Sequence, residues 1–240
     1  MNLLIDQGNT RVKACLYDVD LRKLEAVSSI AALQAYLLAH NLPIDAIAIA
    51  SVASVNESTQ LITCLKRALP SARIYNVHYD AQILPSAYLE PSRLGVDRWL
   101  AMLAVKECRD AIVVDAGTAF TVDVLRAGQH LGGYILPGLA LQRDALASQT
   151  AAVNFPKADV ADLTIGRHTA ACVGHGSLRA LNALVSSVVD EFGGESTVAT
   201  YLTGGDAATF MPHLKAEHRP LLVFEGLQLA LSGYLTRGDQ

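Results

Sequence analysis

The sequence predicts an α/β fold of two related lobes, and three observations predict it. An apolar run that ends on Asp and enters a Gly turn occurs twice, as Leu4-Ile5-Asp6-Gln7-Gly8-Asn9-Thr10 and as Val113-Val114-Asp115-Ala116-Gly117-Thr118. Self-similarity of this kind constrains architecture before any single element is assigned. Each copy opens a succession of strand-like and helix-like periodicities, which implies helices layered on sheets. A hydrophobic fraction of 51% in 240 residues supplies the apolar side chains for a large core.

In the first half, Asn2–Asp6 and Val12–Tyr17 flank a Gly-Asn turn and read as a β-hairpin. A helix over Ile30–His40 and a buried strand over Ala46–Ala50 follow. A second helix, Glu57–Leu69, keeps Leu61, Ile62, Leu65 and Leu69 on one face, and Arg73–Val77 reads as a strand. The second half restarts with strands over Ala111–Asp115, Phe120–Leu125 and His130–Ile135, then a helix over Leu139–Ala147. A long helix (Thr169–Phe192), a strand (Val198–Leu202), a short helix (Ala207–Met211), a strand (Leu221–Phe224) and a helix (Gly226–Leu235) complete the reading. No Ser/Gly-rich linker parts the halves, so residues 1–109 and 110–240 are expected to form closely packed lobes with a cleft between them.

Composition narrows the function. With 18% charged residues and a net charge of -4, the chain offers no basic patch for a nucleic-acid backbone. The amino terminus meets Asp6 at once and does not read as a signal peptide. The most apolar run, Ile44–Val55, carries Asp45 and falls short of the roughly 20 residues a membrane helix needs. Cys15, Cys64, Cys108 and Cys172 are widely spaced and are expected to be buried free thiols of a cytoplasmic protein. The seven histidines show no zinc-ligand spacing, and no G-x-x-x-x-G-K-[ST] loop is present.

Four segments carry candidate chemistry. In Asp6–Lys13, a Gly turn lets backbone N–H groups approach phosphate, Thr10 adds a hydroxyl, Lys13 a cation, and Asp6 suits a water-bridged Mg²⁺. Taken alone it reads as a solvated hairpin turn. The second copy, Asp115–Asp123, supports the phosphate reading, because a nucleotide held by two lobes needs two such turns. Thr203-Gly204-Gly205-Asp206 follows a strand, and its bare glycines suit a flat base and ribose, or an ordinary turn with Asp206 as N-cap. Gly95-Val96-Asp97-Arg98-Trp99 opens an apolar helix. There Asp97 is either a first-turn cap or a general base, with Arg98 beside it for an anionic substrate.

D-x-G-N-T-x-x-K, G-x-D-R-W, D-A-G-T-A-x-T-x-D and G-G-x-I-x-P-G (Gly132–Gly138) stand in that order along the chain. Together they resemble the type III pantothenate kinases, within the actin/sugar-kinase/Hsp70-like superfamily of duplicated ribonuclease-H-like lobes. The resemblance implies ATP and pantothenate as substrates, with Mg²⁺ and an activating K⁺ or NH₄⁺. It makes Asp6, Gln7, Gly8, Asn9, Thr10, Arg11, Val12 and Lys13 the first phosphate motif and brings Thr118 to ATP. It makes Asp115 the ligand of the monovalent cation and Asp97 the proton acceptor. Pantothenate contacts would be Tyr88, Gly95, Val96, Asp97 and Arg98, with Thr169 supplied by the other subunit of a homodimer. Apolar residues on more than one face of Thr169–Phe192, Val185 and Val189 among them, suggest that this helix is either core or the dimer contact. Rival readings are a related kinase for another hydroxylated acid or sugar, and a nucleotide-binding regulator without chemistry.

Overall fold

The computed structural model describes residues 1–8, 11–25, 27–149, 162–193 and 198–237. The first hairpin, β1 (Asn2–Gln7) and β2 (Val12–Tyr17), is extended by a short β3 (Leu21–Lys23). Then come α1 (Ile30–His40), β4 (Ala46–Ser51), α2 (Val55–Ala68) and β5 (Arg73–Asn76). Helix α1 begins where Ser29 Oγ accepts from Ala32 N, and α2 where Ser54 and Glu57 form a reciprocal capping box. After an irregular stretch, α3 spans Val96–Leu103.

The second succession is β6 (Ala111–Ala116), β7 (Ala119–Arg126), β8 (Gln129–Pro137), α4 (Leu139–Gln149) and α5 (Thr169–Glu191). It continues through β9 (Ala199–Thr203), α6 (Ala207–Phe210), β10 (Glu217–His218) and α7 (Leu222–Arg237).

The duplication read from two Asp-x-Gly turns extends to topology. The strand orders are β3-β2-β1-β4-β5 and β10-β9-β6-β7-β8. In each sheet the first strand of the succession pairs antiparallel with the second and parallel with the fourth, and the fifth joins parallel at the edge. β1 therefore corresponds to β6, and β4 to β9.

The chain divides into two compact units, Met1–Val105 with Leu221–Gln240, and Lys106–Pro220. In the first, Leu3, Ile5, Ile47 and Ile49 pack with Leu33 and Leu37 of α1 and Leu61 and Leu65 of α2. On the opposite face α7 lies on β1 and β4, beside α3, which explains why these strands read as unbroken apolar runs. That packing groups the C-terminal helix with the first sheet. In the second unit, Leu178, Leu181, Val185, Val188 and Val189 of α5 pack on Ile112, Val114, Phe120 and Val122.

Two expectations are corrected, and the place of two α5 valines is settled. Leu221–Phe224 is no strand, because Leu222, Val223 and Phe224 begin the buried face of α7, and a four-residue apolar run carries no readable period. Val185 and Val189 are 1% and 7% exposed, so these apolar residues of α5 belong to the core of their own unit. All four cysteines are free, but Cys108 and Cys172 are exposed, since one lies in a surface 3-10 turn and the other in the first turn of α5. Among the described residues no helix is long and apolar enough to cross a membrane.

Candidate active site

The first turn is built by register. Asp6 and Lys13 face each other across β1 and β2, and Lys13 Nζ lies 3.3 Å from Asp6 Oδ2. The carboxylate is nearly buried while the ammonium is half exposed, so the lysine head is accessible for a ligand's charge. Gly8 N donates to Arg11 O at 3.0 Å and closes the turn. Gln7 is buried, with Oε1 accepting from Ser51 Oγ at 3.1 Å, and Val12 belongs to the core, so both brace the turn from behind. Arg11 is exposed. Asn9 and Thr10 lie outside the described residues.

The acidic centre of the same unit lies at the start of α3. Gly95 is the N-cap, and Asp97 Oδ1 accepts from Arg98 N at 2.8 Å, so the carboxylate does bond a first-turn amide. It is also half-buried, and this desolvation pushes its pKa up, with the charge of Asp6 pushing the same way against the amide bond and Arg98. A Cβ at Gly95 would stand 2.6 Å from Asp97 Oδ1, so only glycine leaves room for this carboxylate orientation. Val96 is buried beneath it. Arg98 is itself 8% exposed. Its Nη1 donates to Tyr88 Oη at 2.6 Å, and its guanidinium carbon lies 5.6 Å from the Tyr88 ring centre. Asp6, Lys13, Tyr88, Gly95, Asp97 and Arg98 are thus ordered within one unit around two carboxylates and two cations.

The second unit holds the second turn at the carboxyl ends of β6 and β9, the place where open α/β sheets bind ligands. Gly117 N donates to Ala119 O at 3.1 Å, and Thr118 is exposed at the tip. Two glycines let other chain segments press against this turn. A methyl on Gly138 would strike Gly117 O, while Gly138 N donates to Thr118 O at 2.8 Å. Gly204, at φ +98°, lies against Asp115 Oδ1 and Ala116 O, and Asp206 N donates to Ala116 O at 2.8 Å. Gly138 closes the G-G-x-I-x-P-G motif, whose role the sequence leaves blank, and its structural task is to seat that turn. Asp206 occupies the N-cap position of α6 without a side-chain capping bond.

Thr169 is exposed at the first position of α5, after His168, whose Nδ1 accepts from Ala171 N at 3.4 Å. Sequence reasoning missed a buried pair on β7 and β8, with His130 Nε2 3.1 Å from Asp123 Oδ1. Its only signal was an Asp in the second turn motif and a His in an otherwise apolar strand.

The sequence matches the family model for the type III pantothenate kinases over residues 2–191. A type III pantothenate kinase of Marinobacter nauticus is 37% identical over 246 aligned residues, covering 98% of this chain and all of that one. One from Acinetobacter baumannii is 33% identical over 97% of this chain and 98% of its own length. Among solved structures, a putative Baf family transcriptional activator from Campylobacter jejuni is similar over 98% of this chain and 99% of that one, at TM-score 0.65 and 20% identity. A putative 2-dehydro-3-deoxygalactonokinase from Sinorhizobium meliloti aligns over 97% of this chain and 99% of its own at TM-score 0.56 and 14% identity, a likeness of fold. With its motifs in order and relatives matched over nearly their whole length, the chain belongs to the type III pantothenate kinase family, enzymes that transfer phosphate to an alcohol.

Proposed function

We propose that the chain moves the γ-phosphoryl group of ATP onto the hydroxyl of pantothenate, forming 4′-phosphopantothenate for coenzyme A synthesis, with Asp97 as general base. The observation that carries this is the half-buried Asp97 carboxylate, raised in pKa and flanked by an Arg98 that Tyr88 pins. A base with an elevated pKa takes a hydroxyl proton more readily than an ordinary surface carboxylate. As the hydroxyl oxygen bonds to phosphorus, its proton passes to Asp97, the bond from phosphorus to the β,γ-bridging oxygen breaks, and ADP leaves. Arg98 and Tyr88 hold the substrate's carboxylate. Lys13 and the amides of the Asp6–Lys13 turn neutralise and orient the phosphates, which is most of what phosphoryl transfer requires.

The donor sets fit the ions. Among the described residues no three His, Cys, Asp or Glu side chains cluster for a metal. A Mg²⁺ held by substrate phosphates and water needs only one carboxylate, and Asp6 supplies it. When bound, that ion offsets phosphate charge. Asp115 Oδ1 and Ala116 O both lie against Gly204, and the Asp115 carboxylate is the group proposed to hold K⁺ or NH₄⁺.

A substrate screen tests the reading. With ATP, Mg²⁺ and KCl, ADP release is expected to be fastest with pantothenate among small hydroxy acids and sugars. NaCl at equal ionic strength should lower the rate, and Asp115→Asn should shrink the difference between the salts. A different acid or sugar standing out would give the chain another substrate, and uniform low hydrolysis would make it a regulator.

The working unit is proposed to be a homodimer in which Thr169 reaches the neighbouring copy's pantothenate. The support is an apolar surface on edge strand β8 and on α4, which buries none of its residues: Tyr134, Ile135, Leu141 and Leu146 are 41–60% exposed. Light scattering at micromolar concentration should report twice the 25.5 kDa chain mass. Ile135→Glu with Leu141→Glu should yield folded monomers with a raised KM for pantothenate. A wild-type monomer would refute the dimer, and a fully active monomeric variant would remove Thr169 from the site.

A further inference from the structure

Between β5 and α3 the chain runs through an irregular segment held by a series of hydrogen bonds and one ring contact. At its start Asp80 organises a turn, with Oδ1 accepting from Gln82 N at 2.9 Å and its carbonyl from Ile83 N and Leu84 N. Arg237 Nη1, at the end of α7, stands 3.4 Å from Asp80 Oδ2. In the middle, Trp99 of α3, fully buried, donates Nε1–H to Leu84 O at 3.2 Å. The Trp99 ring also meets Tyr79 edge-on, with centroids 6.1 Å apart. Tyr79 Oη in turn accepts from Ser86 N at 3.0 Å, Ser86 Oγ accepts from Tyr88 N at 3.2 Å, and Tyr88 Oη accepts from Arg98 Nη1 at 2.6 Å. The series leaves α3 at Trp99 and returns to α3 at Arg98.

We infer that Tyr79 is a positioning residue for the acid substrate: its ring is set by Trp99, its hydroxyl fixes Ser86, and Ser86 sets the Tyr88 that aligns the Arg98 guanidinium. The chemistry matches the site. A carboxylate is held best by a guanidinium fork at a defined angle, and a phenol bonded to one guanidinium nitrogen fixes that angle. Tyr88 lies in an irregular stretch two residues after an isolated bridge at Ser86, and side-chain bonds help to fix its backbone. Ser86 bonds the Tyr88 amide directly, and Tyr79 bonds the amide of Ser86. The inference rests on the proposed binding of pantothenate by Tyr88 and Arg98.

The test compares Tyr79→Phe, Ser86→Ala, Tyr88→Phe and the double variant Tyr79→Phe/Tyr88→Phe, with KM for pantothenate, KM for ATP and kcat measured for each. Tyr79→Phe keeps the ring against Trp99 and removes only the acceptor of Ser86 N. It should raise the KM for pantothenate about fivefold, the factor of one neutral hydrogen bond. The KM for ATP and the kcat at saturating pantothenate should stay within about twofold, and Ser86→Ala should behave alike. Because Tyr79 acts through Tyr88, the double variant should be no worse than Tyr88→Phe.

An unchanged KM in Tyr79→Phe, with a raised KM in Tyr88→Phe, overturns the inference and leaves the pantothenate site standing. Additive effects in the double variant, or equal losses in kcat and both KM values, overturn it too, since Tyr79 would then act independently or only through stability. A normal KM in Tyr88→Phe removes the underlying site and the inference with it.

Discussion

Asp97→Asn is expected to lower kcat for phosphorylation by 10²–10⁴, the usual contribution of a positioned general base, while the protein melts no earlier than wild type. The two halves of that result have one cause. Burial and the neighbouring Asp6 raise the Asp97 pKa in the fold. An acid whose folded pKa exceeds its unfolded value binds protons more tightly when folded. Its stability contribution is therefore most favourable at low pH and is lost as pH rises from the ordinary Asp value, about 4, through the folded pKa. At neutral pH the ionised side chain costs stability, and Asn removes that cost while its amide oxygen still accepts from Arg98 N. The acid limb of kcat/KM in the wild type should lie above the range of an unperturbed carboxylate, because the base must be ionised to act. Wild-type turnover in Asp97→Asn would reduce the residue to a helix cap. A lost acid limb with a normal plateau would place the base elsewhere.

Gly226→Ala is expected to lower the melting temperature by about 2–12 °C. The residue faces α3, and its Cα lies so close to the Leu100 carbonyl that an added methyl would overlap the backbone oxygen and carbon. Overpacking against backbone costs about 1–3 kcal/mol, and each kcal/mol moves the midpoint of a chain this size by about 2–4 °C. The comparison is Gly233→Ala in the same helix, where an added Cβ meets only Arg237 Nη2, at 3.9 Å. That change should stabilise, because Ala exceeds Gly by about 1 kcal/mol in a helix interior. Calorimetry on both variants separates close helix packing from helix propensity. If Gly226→Ala melts with wild type, α3 and α7 are not in backbone contact.

Much of the fold was legible because its determinants are local. The Asp-x-Gly turns announce the hairpins, the apolar strands are buried on both faces, and α1 begins and ends where its pattern does. What was lost has physical reasons. β3 and β10 are three and two residues long, too short for a period to show. The width of the apolar surface of α5 does not say what covers it, and here the second sheet and α6 do. In the candidate site, the positions of Asp6 and Lys13 at a hairpin turn and of Asp97 at a helix start could be read from the sequence. The seating of the second turn by Gly138 and Gly204 could not, since it joins residues far apart in sequence. Tyr79 was invisible for a related reason: it lies in a stretch without periodicity, and its partner is a backbone amide seven residues on.

The return of α7 to the first unit also sets an order of events during synthesis. Residues Lys106–Pro220 form a continuous stretch and close their own core as soon as they have emerged. The first unit, although made earlier, has only α3 on the α7 side of its sheet until α7 itself leaves the ribosome. The nascent chain therefore carries an incompletely covered first sheet until α7 is made, by which point the second unit already has all of its residues. A stop codon just after Pro220 would leave the first unit without α7. Such a fragment would be drawn to chaperones through the apolar surface of the half that carries Asp97.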